Sequence, residues 1–284
     1  MARQESDFGF TEAQASAFTN AVWDNHRRNR RDLPWRRTRD PYEILVSEVM
    51  LQQTQVARVQ LKYGRFLASF PTVRALSAAP VAEVLAAWSG LGYNRRALSL
   101  HQAAKVMVDR HEGRIPASPE ELQRLPGIGP ATAAAVCVFA FGRPHAFIET
   151  NIRSAFIHFF FQGSTSVSDA RILPLVEKTM DPVDPREWFY ALMDYGVWVK
   201  KAFGNPNRRS KGHTVQSAFA GSRREMRARA LQALLAIAPG GATADSVRAM
   251  LPGPSRDPDD LVSVLDDLAR EGFLKKEKAG YRIA

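Results

Sequence analysis

Leu125-Pro126-Gly127-Ile128-Gly129, running into Pro130-Ala131-Thr132-Ala133, is the stretch that decides the fold. Two glycines two positions apart, with a proline directly after the second, predict a tight turn that opens a helix. A turn of this kind needs positive φ, which glycine adopts at little cost, and it leaves backbone N–H groups open to an approaching phosphate oxygen. Gly127, Ile128, Gly129 and Thr132 are therefore the candidate backbone-binding residues. Such contacts hold a nucleic acid in place without reading its bases. A lone Gly-x-Gly at a helix junction is also what an ordinary turn looks like, so the sequence on either side has to decide.

Outward from the turn, the chain reads as helix after helix. Apolar residues recur at spacings of three and four over Thr11 to Trp23, Tyr42 to Gln55, Leu61 to Phe70 and Val81 to Trp88. Asp40-Pro41 predicts a capped helix start, and Ser118-Pro119-Glu120-Glu121 predicts another. Phe156 to Phe161 reads as a buried helix. Gly204 to Gly221 is polar, basic and irregular, as a linker or surface loop would be. From Met226 the pattern changes to short helices (Met226 to Ile237, Ala244 to Met250, Asp259 to Glu271), and then strand, Lys-rich turn and strand up to Ile283. That ending resembles a winged helix; the competing reading is a plain helical appendix.

The 284 residues give ample length for a buried core, and 45% are hydrophobic. No apolar run approaches the ~20 residues of a membrane span. Met1 to Phe10 lacks an apolar segment, so a secretion leader is not expected, and a cytoplasmic, nucleoid-associated, monomeric protein is. A single cysteine, Cys137, leaves no internal disulfide and no four-thiolate cluster within one chain. The formal charge is +10, with basic runs at His26 to Arg31, Arg36-Arg37, Arg208-Arg209 and Arg223-Arg224. That balance favours a polyanion partner, although an Arg-rich solvated surface would give the same count. His145, His158 and His213 have no metal-ligand spacing.

Joined to its neighbours, the turn acquires a specific resemblance. Leu33-Pro34-Trp35-Arg36, Ser47-Glu48-Val49-Met50-Leu51-Gln52-Gln53-Thr54-Gln55, Phe70-Pro71-Thr72, Trp88-Ser89-Gly90-Leu91-Gly92-Tyr93 and the hairpin stand in the order seen in MutY adenine glycosylases. The chain resembles that family from about Trp23 to Gly196. The resemblance implies an all-α fold of two subdomains with a helix-hairpin-helix. It sets the glycosylase domain at 1–222, a six-helix subdomain at about 36–150 and a second from 1–35 plus 151–222; the winged-helix-like domain is 223–284.

The same resemblance implies double-stranded DNA as partner, and roles for individual residues. A glycosylase extrudes a base, holds it and breaks its bond to the sugar. Glu48 matches the general acid that protonates nitrogen-7 of adenine, and its neighbours Ile44, Leu45 and Leu51 would favour the protonated form. A surface carboxylate is the ordinary alternative. Gln52 and Gln53 match residues that probe the gap left in the duplex, with Tyr93 as an aromatic wedge. Arg36 and Trp35 match the surroundings of the base. Ile148-Glu149-Thr150-Asn151 stands where the family carries Asp-Gly-Asn-Val, so Glu149 replaces the carboxylate that steadies the developing oxocarbenium ion and Asn151 is retained. The longer side chain displaces that carboxylate, and a misplacement of this size can cost ~100-fold in rate.

Other departures surround the base. Ala131 stands where lyases of the superfamily carry a lysine, so no Schiff-base nucleophile is expected and the enzyme would be monofunctional. No cysteines follow Gly196, so no iron–sulfur cluster is expected; a monovalent or divalent cation at the hairpin stays open. About 60 residues of winged-helix-like sequence stand where the family has its Nudix-like domain. Tyr190 falls where the family places Gln or Glu against the adenine amino group, unless the register is off by one and it is core. Together these point to a modified adenine such as N6-methyladenine. Adenine opposite 8-oxoguanine or guanine, and an inactive DNA-binding paralogue, are the alternatives.

Overall fold

A computed structural model describes residues 11–251 and 258–284. The expectation about a leader rests on Met1 to Phe10, outside these residues. In chain order the helices are α1 (Glu12–Asn29), α2 (Pro41–Leu51), α3 (Val56–Ser69), α4 (Val73–Ala78), α5 (Val81–Trp88), α6 (Arg95–His111), α7 (Pro119–Gln123), α8 (Pro130–Phe141), α9 (Thr150–Phe160), α10 (Asp169–Thr179), α11 (Pro185–Phe203), α12 (Arg223–Ala236), α13 (Ala244–Met250) and α14 (Pro258–Arg270). Three short strands, β1 (Gly241–Ala242), β2 (Leu274–Glu277) and β3 (Gly280–Ile283), form an antiparallel sheet in the order β1-β3-β2. Among the described residues the fold is all-helical apart from that sheet. The strand–turn–strand ending is β2 and β3; β1, two residues long, carries no alternation by which sequence could show it.

Side-chain caps start seven of these helices. Thr11 and Gln14 form a reciprocal capping box before α1. The Asp40 carboxylate accepts from the Tyr42 and Glu43 N–H groups at the start of α2, with Pro41 at the first helical position. The end of α2 corrects the periodicity: the helix stops at Leu51 rather than running to Gln55, and Gln53 takes a left-handed φ of 53°.

The chain separates into two compact units. The first takes in the chain up to Arg39, Ala117–Pro119 and Gly129–Thr214; the second takes in Asp40–Pro116, Glu120–Ile128 and Val215–Ala284. These limits differ from the expected ones most at the hairpin helix and at the C-terminal elements. The hairpin helix α8 belongs to the first unit because it is apolar all round, with every residue from Ala133 to Phe139 buried and Phe139 stacked on Tyr190 of α11 at 4.5 Å. The C-terminal elements belong to the second unit.

In the first unit α9 lies along α11, and the two approach closely at Gly196, where a β-carbon would fall 2.0 Å from the Asn151 carbonyl oxygen. Phe18 of α1 seals this core against Phe156, Phe159 and Phe160, with ring centroids 4.7 to 5.1 Å apart. The single thiol, Cys137, is fully buried in α8 with its Sγ 3.4 Å from the Ala117 carbonyl oxygen. In the second unit, Phe66 of α3 and Trp88 of α5 are fully buried and meet edge to face. There Arg95 of α6 and Arg227 of α12 both pair with Glu271, at 2.8 and 2.6 Å. Among the described residues no helix is long and apolar enough to cross a membrane, and no group of three His, Cys, Asp or Glu side chains could hold a metal ion.

Candidate active site

In the second unit, Glu48 sits half-buried on α2 among the buried residues Ile44, Leu45, Ser47 and Val49. Gln52 and the exposed Gln53 lie beyond the helix end, not on a continuation of it. What arranges this end is Arg96 of α6, which the sequence reading passed over. Its Nη1 donates to the carbonyl oxygens of Val49 at 2.8 Å and Met50 at 2.9 Å, and also to that of Gln52. Its Nη2 donates to Thr54 Oγ1 at 2.8 Å and to the Gly92 carbonyl at 3.1 Å. One guanidinium thus closes the C-terminus of α2 and ties it to the turn that carries Tyr93. Burial pushes the Arg96 guanidinium down to about 10, which still leaves it charged at neutral pH. Tyr93 is itself left-handed (φ 48°) and 42% exposed, and its hydroxyl accepts from Gln216 Nε2. No periodicity flags Arg96; it is found by asking where the last carbonyls of α2 go.

The hairpin uses its two glycines differently. Gly127 has φ 77°, and a β-carbon there would fall 2.6 Å from that of Ser99, so the position needs glycine twice over. Gly129 corrects the expectation of two positive φ angles: it is the N-cap of α8 in extended backbone at φ −87°, with open space where a β-carbon would go. Ile128 between them is buried while both glycines are exposed, so one apolar side chain roots a turn whose backbone faces outward. Ala131 is exposed and Thr132 half-buried on the first turn of α8.

In the first unit, Glu149 and Asn151 come together. Glu149 is the N-cap of α9, and its Oε1 accepts from the N–H of Asn151 at 2.7 Å and of Ile152 at 2.8 Å. Its Oε2 accepts from Asn151 Nδ2 at 3.0 Å. Glutamate is not among the usual N-caps, yet its longer arm still reaches both N–H groups, where the helix dipole favours an anion. Glu149 thus serves as the cap of α9.

Residues 46–179 match the family model described as HhH-GPD superfamily base excision DNA repair protein. That stretch is thus similar to the HhH-GPD superfamily over just under half of the chain. The adenine DNA glycosylase of Mycolicibacterium smegmatis is 39% identical over 179 residues, 62% of this chain and 60% of that protein. That of Buchnera aphidicola is 35% identical over 178 residues, 61% of this chain and 50% of that protein. The chain thus spans about half to three fifths of the length of these relatives. A solved thermostable thymine-DNA glycosylase superposes with a TM-score of 0.58 at 26% identity, over 65% of this chain and 86% of that one. The chain is thus similar to adenine DNA glycosylases over these residues, and it shares the helical fold of that solved glycosylase.

The remaining residues assigned to the base contact side chains of the first unit. Arg36 forms a two-pronged pair with Asp194, at 2.8 and 2.9 Å, and its side chain is 4% exposed. Arg31 and His26 reach the same carboxylate. Burial alone would raise the Asp194 carboxyl, but the hydrogen bonds from His26 and Arg36 and the charge of Arg36 hold it well below the usual carboxylate range. Tyr190 is buried, with Phe139 stacked on its ring and the Arg36 guanidinium 4.5 Å over it. Trp35 is buried as well.

The segment where the resemblance would put an iron–sulfur cluster does not fit one. Its side chains are amide and cationic donors spent on α9: Asn207 Nδ2 donates to the Thr150 carbonyl and to Ser154 Oγ, at 2.9 and 2.6 Å, and Arg209 Nη1 to the Phe161 carbonyl at 2.6 Å. The one cysteine is sealed in α8.

Proposed function

We propose that this chain is a monofunctional DNA glycosylase of base excision repair that hydrolyses the N-glycosidic bond of a flipped-out adenine-type base. The observation that carries the reading is Glu149, a half-buried carboxylate held on a helix N-terminus by two N–H groups and Asn151, in a domain whose relatives are named adenine DNA glycosylases. A negative group so fixed suits the positive charge that develops on the sugar as the base departs. Glu48, set among apolar residues on α2, is the general acid that delivers a proton to nitrogen-7 so that the purine leaves neutral. Water completes the hydrolysis. Ala131 supplies no amine for a Schiff base, so the strand is left uncut. The hairpin at Gly127 to Gly129 grips phosphate, the basic balance draws in double-stranded DNA, and Gln52, Gln53 and Tyr93 fill the space left in the stack.

Adenine heads the list of target bases. With the Tyr190 ring occupied by Phe139 and Arg36, preference for a modified adenine such as N6-methyladenine rests on Glu149, Ala131 and the sequence that stands in place of the Nudix-like domain. The β1–α13–α14–β2–β3 order after α12 supports a winged-helix-like module as the appended part. End-labelled duplexes carrying adenine opposite 8-oxoguanine, adenine opposite guanine, or N6-methyladenine, each treated with hot alkali, test the reading. Strand cleavage is expected only after alkali, and Glu48→Gln or Glu149→Gln should each lower it at least ~100-fold. Tight duplex binding with no excision of any base would favour a DNA-binding paralogue instead.

A further inference from the structure

The Asn151 amide has a second partner. Its Oδ1 accepts from Lys200 Nζ of α11 at 2.9 Å, while its Nδ2 donates to Glu149 Oε2 at 3.0 Å. We infer that Lys200 is a positioning residue for the Glu149 carboxylate, acting through Asn151. The inference rests on the role proposed above for Glu149.

An asparagine side chain presents oxygen at one end and NH₂ at the other, and either can face a given neighbour. An ammonium group has only donors. With Lys200 on one side, the oxygen of Asn151 must face it, and the NH₂ is then forced towards Glu149. That third bond matters because Oε1 is already fixed by the two backbone N–H groups of α9; the bond to Oε2 sets the plane of the carboxylate. Among the described residues Oε2 accepts only this bond, so Asn151 sets its direction. Without Lys200 the amide oxygen loses its anchor, and amide and carboxylate are free to swing together.

The surrounding fold is built to deliver the lysine. Gly196, one turn before Lys200 on α11, lets the two helices meet where any side chain would strike the Asn151 carbonyl. Asn207 and Arg209, immediately beyond α11, tie the two ends of α9. Lys200 is held at a cost: burial and the nearby charges of Arg153 and Arg31 lower its ammonium from the ordinary value, and Glu149 opposes them. It makes no other hydrogen bond among the described residues.

Charge alone predicts the opposite effect on catalysis. A nearby cation disfavours the positive sugar, so removing it would speed excision if Lys200 acted only as a charge. Positioning predicts a loss. The experiment compares wild type, Lys200→Met, Lys200→Arg, Glu149→Gln and the Lys200→Met/Glu149→Gln double variant. Single-turnover excision is measured on the best-cleaved duplex. Dissociation constants are measured for two duplexes, one carrying a cationic pyrrolidine at the abasic position and one a neutral tetrahydrofuran. Lys200→Met should slow excision at least ~10-fold, given what misplacement costs, and weaken binding of the cationic analogue by a similar factor. Binding of the neutral analogue should hold, and Lys200→Arg should recover most of the loss. In the Glu149→Gln background Lys200→Met should change nothing further, since the two act through one contact. Unchanged or faster excision in Lys200→Met, equal weakening of both analogues, or full additivity would overturn the inference. If Glu149→Gln itself leaves excision and the cationic preference intact, it is the Glu149 reading that fails.

Discussion

Asp194 is the most heavily engaged side chain of the first unit, and its partners decide what pH does to the protein. Arg36, Arg31 and His26 all bond to it while it is buried. Removing it as Asp194→Ala leaves Arg36 buried without its counter-charge, so urea unfolding should show a loss of about 3–5 kcal/mol. The Asp194 carboxyl is depressed in the folded state, so its contribution is present above the ordinary value of 3.8 and is lost as pH falls below it. His26 has the opposite sign. Its hydrogen bond to Asp194, and after that the one to Glu187, outweigh burial and raise it. Its contribution is therefore complete below the ordinary value of 6.5 and disappears as pH climbs through the raised one. The Tm gap between wild type and His26→Gln should narrow as pH rises above 6.5, with the carboxylates of Asp194 and Glu187 and the guanidiniums of Arg30 and Arg31 as the charges facing the ring. A gap independent of pH would mean that the imidazole does not titrate in that window.

At the level of elements, α9 and α11 act as a pair. Gly196→Ala would place a β-carbon 2.0 Å from a backbone oxygen of α9, which cannot yield as a flexible side chain would. The helices must part, carrying Glu149 with them, and excision should fall by about 100-fold while binding to undamaged duplex is little changed. Gly127→Ala should do the reverse, weakening duplex binding through a strained turn pressed on Ser99. These elements were unequally legible in the sequence. The hairpin and the Asp40 cap could be read because local chemistry fixes them: a turn needs its glycine, a helix its cap; the carboxylates at 48 and 149 were named only through the family resemblance. The stop of α2 at Leu51 could not, because the apolar spacing runs on to Gln55 and the residue that ends the helix, Arg96, lies more than 40 positions away. Lys200 was hidden for the same reason. A lysine in a basic stretch looks like surface charge until the fold brings it to Asn151.

For the molecule as a whole, the charge of +10 predicts binding to undamaged duplex that is governed by counterion release. Neutralising four or more phosphates would cost about 100-fold in affinity between 50 and 200 mM salt, which a fluorescence titration would show. The C-terminal elements carry a second expectation. Glu271 pairs with Arg95 and Arg227, and α12 packs on α5, so the appended part is tied into the second unit. A chain cut before Val215 should lose Tm and aggregate rather than leave an independently stable core. Finally, the lone thiol gives the protein a built-in clock. Cys137 is shut inside the helix rooted at the hairpin, so an alkylating reagent can reach it only when that helix opens. Labelling rates in native buffer would read the free energy of that opening at a single site, without any engineered probe. Slowing of the reaction when duplex DNA is added would measure how far a grip on phosphate stiffens the interior.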